Sequence, residues 1–323
     1  MQGLTYLIIE QALKRKDIKD DIETWKQGTV LNALHFCGYT ERLREVVADF
    51  AGKKPLIMPG AIADDVSRIR ALYHSGFEDV ARQTLDEFKT QRIEISGVTQ
   101  HANARPTENW VWIDSAYMVC PSMALMGEYD IAFGDLLGFY DILVNENGLM
   151  RHLKQEMGVR DDERLVGPTD WIDGTAWGRG NGWFVAATVD TLAYAQSEQN
   201  SKVEKNFLNV CESLLNFQDD QGIWHAIIDD LDTPPEMSGT TAIAYAFLRA
   251  SRMGILPSQY EEAARRAIAE VLTNYFDWIN YQVKNQQTGP MIANLFTPAH
   301  MESGCSYGQA FLAMSLQLIT EKT

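Results

Sequence analysis

The chain has 323 residues, 46% of them apolar and 10% aromatic, a composition that excludes a disordered or low-complexity protein and supplies enough hydrophobic surface for a large core. Its 44 acidic against 28 basic residues give a net charge of −16, which disfavours nucleic acid and anionic membrane surfaces as partners. No window approaches roughly 18 uninterrupted apolar residues, so a membrane-spanning helix is excluded. The four cysteines, Cys37, Cys120, Cys211 and Cys305, are too far apart for a CxxC metal or redox pair and read as reduced core thiols.

The chain opens on Met1-Gln-Gly-Leu-Thr-Tyr-Leu-Ile-Ile-Glu10, which has neither a basic leader nor a small-residue cleavage site. A cytoplasmic protein is expected, unless a leader precedes this sequence. From there periodicity predicts about twelve helical segments of two alternating kinds. The amphipathic, charged kind covers 4–16, 40–52, 78–92, 128–145, 201–218 and 258–283. The second kind is rich in Ala, Gly, Ser and aromatics and poor in charge, and covers 25–37, 62–74, 112–127, 180–197, 239–253 and 305–320. A helix apolar on most sides is buried, so each outer helix pairs with an inner one. Six such pairs predict an all-α fold, an (α/α)6 toroid, with residues 1–323 as one domain.

Turn-rich links run directly into the starts of the inner helices, as in Ser238-Gly-Thr-Thr and Ser303-Gly-Cys-Ser. These links are expected at one end of the toroid, the active face. The connections 93–111, 146–176 and 219–237 are longer than a compact helical domain needs, and their aromatics and histidines point to function.

The most informative stretch is Trp171-Ile-Asp-Gly-Thr-Ala-Trp177-Gly-Arg179-Gly-Asn181-Gly-Trp183. Indoles cover the apolar faces of a sugar ring, a guanidinium grips a carboxylate through two parallel hydrogen bonds, and glycines let backbone approach a ligand. An anionic sugar fits this mixture; a packing turn with Arg179 laid on an indole is the alternative. Because the whole chain is acidic, an anionic ligand must be small and its pocket locally basic, since salt screens surface charge beyond about 8 Å.

Glu108-Asn-Trp110-Val-Trp112-Ile-Asp114-Ser-Ala-Tyr117-Met118-Val-Cys-Pro121 places a carboxylate at the mouth of an apolar inner helix. Asp114 there is a helix cap, a catalytic acid with its pKa raised by the flanking indoles, or both. Asp64 and Asp65 open the preceding inner helix, as dipole-favoured caps or as a second carboxylate that would push one of the two pKa values up. His152 follows the turn Asn147-Gly148 and is expected on a loop.

Four segments, Trp112-Ile-Asp114-Ser-Ala-Tyr117-Met118, Gly148-Leu-Met-Arg-His152, Trp177-Gly-Arg-Gly-Asn-Gly-Trp183 and Gly222-Ile-Trp224-His225 with Glu236-Met-Ser238-Gly-Thr, occur in the order seen in unsaturated glucuronyl and rhamnogalacturonyl hydrolases. From about residue 60 onward the sequence resembles glycoside hydrolase family 105, a relative of family 88. The resemblance implies an (α/α)6 barrel that hydrates the C4=C5 double bond left on a uronic acid by a polysaccharide lyase. It implies Asp114 as catalytic acid and base, Asp64 as second carboxylate, and Trp112, His152, Trp177, Arg179 and Trp183 as substrate contacts. Family members often carry a polar or basic residue about ten positions before the catalytic aspartate; here that stretch is Asn103-Ala104-Arg105, which makes Arg105 a further candidate.

The chemistry needs no cofactor or metal. The expected partner is a small unsaturated oligosaccharide, most directly a rhamnogalacturonyl disaccharide, with the protein a monomer or homodimer. Three other functions stay open on the residues alone: an inverting glycosidase with paired carboxylates, an epimerase using His152 and His225, and a non-catalytic carbohydrate-binding protein.

Overall fold

The computed structural model describes residues 2–15, 18, 24–53, 56–57, 62–101, 110–155, 175–194, 198–287 and 301–321. Outer helices bury one stripe: in Asn200–Asn216 the buried set is Val203, Phe207, Val210, Cys211 and Leu214, spaced by three and four residues. Inner helices are enclosed nearly all round, and Gly178–Tyr194 is buried without a break from Gly178 to Leu192. Each large apolar side chain removed from water contributes about 1.5–3 kcal/mol, which is why the low-charge segments take the inner positions.

Six inner helices close a ring. Thr24–Phe36 touches the two-part helix Ile62–Val66 and Ile69–His74, which touches Asp114–Met126, then Gly178–Tyr194, Met237–Arg252 and Ser306–Thr320, which returns to Thr24–Phe36. The helices Gln2–Leu13, Thr40–Ala51, Glu78–Gln91, Tyr129–Leu143, Asn200–Asn216 and Ser258–Asn274 lie outside them. This is an (α/α)6 barrel, as the alternation of segments predicts. No helix among the described residues is long and apolar enough to cross a membrane. All four cysteines are free and buried, and burial pushes the Cys37 thiol up to about 12.

The ring is tight because its contacts are made by glycine and serine. A methyl group on Gly239 would stand 2.7 Å from the Gly178 carbonyl carbon, and one on Gly182 would stand 2.8 Å from the Ala242 Cβ. On the opposite side, a methyl on Gly28 would stand 2.7 Å from the Ser67 Cβ. Ser122 reaches between helices to donate to the Val66 carbonyl at 3.0 Å.

Short antiparallel ribbons decorate the face on which the inner helices begin. They pair Glu94–Ile95 with Val98–Thr99, Trp110–Trp112 with Leu153–Gln155, His225–Ile227 with Asp230–Pro235, Phe276–Asp277 with Gln282–Val283, and Gln286–Gln287 with Met301–Glu302. Periodicity gave no sign of these, because strands of two or three residues are too short to alternate visibly. Two predicted helices are shorter than expected for the same reason. The inner helix expected from 112 begins at Asp114, after Trp112 has ended a strand. The outer helix expected to run to 283 stops at Asn274, where Asp277 accepts from the Ile279 and Asn280 backbone N–H groups and turns the chain into a ribbon.

The glycine contacts give a direct test by urea unfolding. Gly239→Ala is expected to cost about 1–3 kcal/mol by overpacking two backbones. Gly134→Ala, in the outer helix where a methyl meets nothing within 4 Å, is expected to be neutral or stabilising by up to about 1 kcal/mol. Equal effects of the two would contradict the packing argument.

Candidate active site

The ribbon between Trp110–Trp112 and Leu153–Gln155 builds the centre of the site. Trp112 lies opposite Leu153, and the next backbone bond runs from the Ile113 N–H to the His152 carbonyl at 3.0 Å. That bond sets the start of one inner helix against a loop 38 positions along the chain and brings the Asp114 Oδ2 to 3.5 Å from the His152 Nε2. Asn181 holds the loop from behind: its Oδ1 accepts from the Met150 N–H and its Nδ2 donates to the Met150 carbonyl, both at 2.8 Å. The His152 ring is buried between the indoles of Trp112 and Trp177, with centroids at 5.4 and 4.3 Å.

Asp114 is not a helix cap. It is the first residue of its helix, and its Oδ2 has no hydrogen-bond partner among the described residues. Its carboxyl lies below the ordinary range, opposite to the expectation from the flanking indoles. Burial does push it up, but the His152 imidazole 3.5 Å from its Oδ2, with His101 and Arg179 nearby, outweighs burial.

His101 organises the second carboxylate. Its ring stacks parallel on Trp112 with centroids 5.3 Å apart, its Nδ1 is 3.1 Å from the Ser115 Oγ, and its Nε2 is 3.6 Å from the Asp64 Oδ1. Asp65 points away: it is fully buried, 3.3 Å from the Arg68 Nη2. Between the two neighbours, only Asp64 is oriented toward the His101 and Ser115 side of the barrel mouth.

Arg179 is 3% exposed and is clamped between two rings, its guanidinium carbon 4.4 Å from the Trp177 centroid and 4.6 Å from that of Tyr307. Its Nη1 donates to the Gln287 carbonyl and, at 2.8 Å, to the Tyr307 hydroxyl, while its Nε has no partner. No carboxylate pairs with it among the described residues. The stacking that was the alternative to ligand binding is therefore present, and the guanidinium has no carboxylate within ion-pair distance among the described residues, although it acts electrostatically on Asp114.

Of the three tryptophans expected to stack on a sugar, Trp112 is half-buried, whereas Trp177 and Trp183 are each 1% exposed. Trp183 packs among Trp25, Tyr117, Tyr307 and Phe311, and its indole N–H has no partner among the described residues. The glycines of this stretch face protein rather than a ligand. Gly178 abuts the His225 carbonyl, Gly180 would set a methyl 2.9 Å from the Trp177 ring, and Gly182 meets Gly239 and Ala242. The expected role in ligand approach is replaced by helix packing.

Arg105 lies outside the described residues. His225 is spent on structure: its Nδ1 faces the Thr233 carbonyl and its Nε2 is 3.2 Å from Asp219. With both ring nitrogens engaged it is a poor acid or base. No three His, Cys, Asp or Glu side chains among the described residues converge into a metal-ligating group. Sequence reasoning missed His101, Tyr307 and Gln287. His101 lies 13 positions before Asp114, just upstream of the stretch inspected, and Tyr307 follows the Ser303-Gly-Cys-Ser link that was noted only as a repeat.

The model of Glycosyl Hydrolase Family 88 matches residues 73–315. The chain belongs to this family. Its fold superposes on a family 105 glycoside hydrolase from C. acetobutylicum ATCC 824, with a TM-score of 0.78 and 18% identity over 98% of this chain and 99% of that one. It also superposes on an unsaturated glucuronyl hydrolase from Bacillus sp. GL1, with a TM-score of 0.72 and 14% identity over 99% and 97% of the two chains. Among characterised sequences it is 26% identical to the unsaturated rhamnogalacturonyl hydrolase YesR of Bacillus subtilis over 31% of this chain and 28% of that one. It is 25% identical to an unsaturated 3S-rhamnoglycuronyl hydrolase of Alteromonas sp. over 59% and 49%. These alignments span about half or less of each relative.

The electrostatics of this glycoside hydrolase site are open to direct measurement. Carbon-detected NMR of the Asp114 carboxyl is expected to show a midpoint below that of an ordinary aspartate, and Arg179→Met is expected to raise it. A wild-type midpoint above the ordinary value would refute the balance of charges described.

Proposed function

We propose that this protein removes a 4,5-unsaturated uronic acid from the non-reducing end of lyase-generated oligosaccharides, with residues 1–323 acting as one catalytic domain. The observation that carries this reading is the buried Arg179 guanidinium, without an ion-paired carboxylate among the described residues, beside the Asp114 and His152 pair. A buried cation without an acid is costly, and a ligand carboxylate removes that cost. Membership of family 88 and the likeness to unsaturated uronyl hydrolases support the same conclusion. Rhamnose is the first candidate for the sugar released, from the name of the Bacillus subtilis relative.

In this mechanism the substrate carboxylate binds at Arg179, and Trp112, half-buried at the mouth, covers one face of the flattened ring. Asp114 donates its proton to C4, positive charge develops at C5 and the ring oxygen, and water adds at C5 while returning a proton to the Asp114 carboxylate. The C5 hemiketal then opens by breaking its bond to the ring oxygen, and C1 expels the remaining saccharide as an alcohol. Asp64 orients the water or the sugar hydroxyls, with His101 between it and Ser115. His152 takes its place as the partner of Asp114.

Asp114 must carry a proton to begin, yet its neighbours favour the carboxylate in the empty site. Substrate resolves the conflict: its negative charge offsets the field of Arg179 and raises the proton affinity of Asp114 when the acid is needed. The sign is definite. The kcat profile reports the loaded site and is expected to hold to higher pH than kcat/KM, which reports the empty one. Coincident basic limbs would remove this coupling from the mechanism.

The activity itself is read from the ultraviolet absorbance of the conjugated double bond. Wild type is expected to bleach unsaturated disaccharides made by pectin-type lyases, and Asp114→Asn to lose at least about 100-fold in kcat. Bleaching at equal rates by both proteins, or none by wild type with any unsaturated disaccharide, would overturn the assignment.

A further inference from the structure

Arg179 does not stand alone; it is held by Gln287, a residue that neither the motifs nor the catalytic scheme includes. Gln287 ends the two-residue strand Gln286–Gln287 and is wholly buried. Its backbone N–H donates to the Glu236 Oε1 at 3.0 Å, and its carbonyl accepts from both the Arg179 Nη1 and the Tyr307 hydroxyl. Its side-chain Oε1 accepts from the Trp177 indole N–H at 2.7 Å. An indole N–H only donates, so the atom facing it is the amide oxygen, and the amide orientation is thereby fixed. What remains is the Nε2, a buried donor with no partner among the described residues.

Leaving a buried donor unpaired costs roughly 1–3 kcal/mol. Gln287 is moreover pinned through its backbone N–H and carbonyl. Glu236 is fully occupied: besides Gln287 it accepts from the Ser238 N–H and hydroxyl and from the Gly239 N–H, and so caps the helix Met237–Arg252. The strand end, the Arg179 guanidinium and the Trp177 indole are thus tied to one helix start.

We infer that Gln287 is a specificity-determining residue whose Nε2 donates to the substrate carboxylate beside Arg179, while its carbonyl and Oε1 fix the guanidinium and the Trp177 indole that flank it. The inference rests on the uronyl-hydrolase reading of the same pocket. It makes recognition of a free carboxylate a matter of two donors, one charged and one neutral, set by a single residue. A neutral ester has one acceptor oxygen fewer and no charge, and gains less from the pair.

The test compares wild type, Gln287→Glu and Gln287→Met. Gln287→Glu keeps an acceptor for the Trp177 N–H but replaces the free donor with a second carboxylate oxygen; Gln287→Met removes both polar atoms at similar volume. Tryptophan fluorescence titrations with glucuronate and with its methyl ester read binding without turnover, and KM for the unsaturated disaccharide and its methyl ester reads it with turnover. Gln287→Glu is expected to weaken glucuronate by about tenfold or more and to leave the methyl ester within about threefold, with kcat changing less than KM. Equal loss on acid and ester, unchanged glucuronate binding in Gln287→Glu, or a wild type that does not discriminate acid from ester would each overturn the inference. Should wild type bind glucuronate with this discrimination yet bleach no disaccharide, the hydrolase reading fails and the carboxylate clamp stands. Should Gln287→Met not fold, Gln287→Glu decides alone.

Discussion

One buried charge constrains much of the barrel mouth. Enclosing the Arg179 guanidinium costs several kcal/mol unless its neighbourhood replaces water, and no protein carboxylate among the described residues does so. Two aromatic faces and one carbonyl take that part instead. Each has its own requirement. Trp177 must bridge to Ile227 and donate to Gln287, and Tyr307 must stack on Trp25 with centroids 5.2 Å apart. The starts of Gly178–Tyr194 and Ser306–Thr320 are thereby drawn together at one cation, with Thr24–Phe36 joined to them through Trp25. Backbones can come that close only where Cβ atoms are missing, which explains Gly178, Gly182 and Gly239 better than ligand approach does.

The same charge sets the behaviour of the acid. Indoles around Asp114 raise its pKa by excluding water, but the cationic side of the pocket acts over the same low-dielectric space and in the opposite direction. These neighbours therefore favour the ionised form of the Asp114 carboxyl. In the mechanism we propose, an anionic substrate would cancel the cation on arrival, so that recognition of the carboxylate and arming of the acid would be one event. A neutral sugar of the same shape would fill the pocket without arming it, which gives selectivity in kcat as well as in binding.

The barrel was legible because it depends on long, strongly patterned segments. Leu43, Val47 and Phe50 in an outer helix and the unbroken apolar run of an inner one differ plainly in sequence. Asp114, His152 and Arg179 were legible through their motifs, and the structure brings all three together. The direction of the Asp114 shift was not, since it depends on His152, His101 and Arg179, whose distances from it no local pattern fixes. Gln287 and His101 escaped for a related reason. Their importance lies in partners 20 to 110 positions away in one case and 11 to 37 in the other, joined by ribbons too short to show a period. Gly178-Arg-Gly-Asn-Gly182 was misread because a glycine needed for helix contact looks the same in sequence as one needed for a ligand.

A second set of buried charges, farther along the inner helices, shows what a purely structural arrangement looks like in this fold. Asp190 accepts from Arg70 at 2.8 Å, from the Tyr245 hydroxyl at 2.7 Å and from Arg249, so both guanidiniums there have a carboxylate. One positive charge is still in excess, and two stacked imidazoles respond to it. The rings of His35 and His74 lie parallel with centroids 3.6 Å apart. Burial, His35 and Arg70 push His74 down to about 3, and burial with Arg70 and Arg249 lowers His35, so both are neutral near pH 7. Tyr117 separates the two layers, with Arg70 over its ring at 4.7 Å and Trp183 against it at 5.0 Å. Arginines are thus buried at two levels of one barrel, and of Arg70, Arg249 and Arg179 only Arg179, at the mouth, has no ion-paired carboxylate among the described residues. That difference, rather than burial or aromatic stacking, which both levels share, is what supports the proposal that the partner of Arg179 comes from outside the chain.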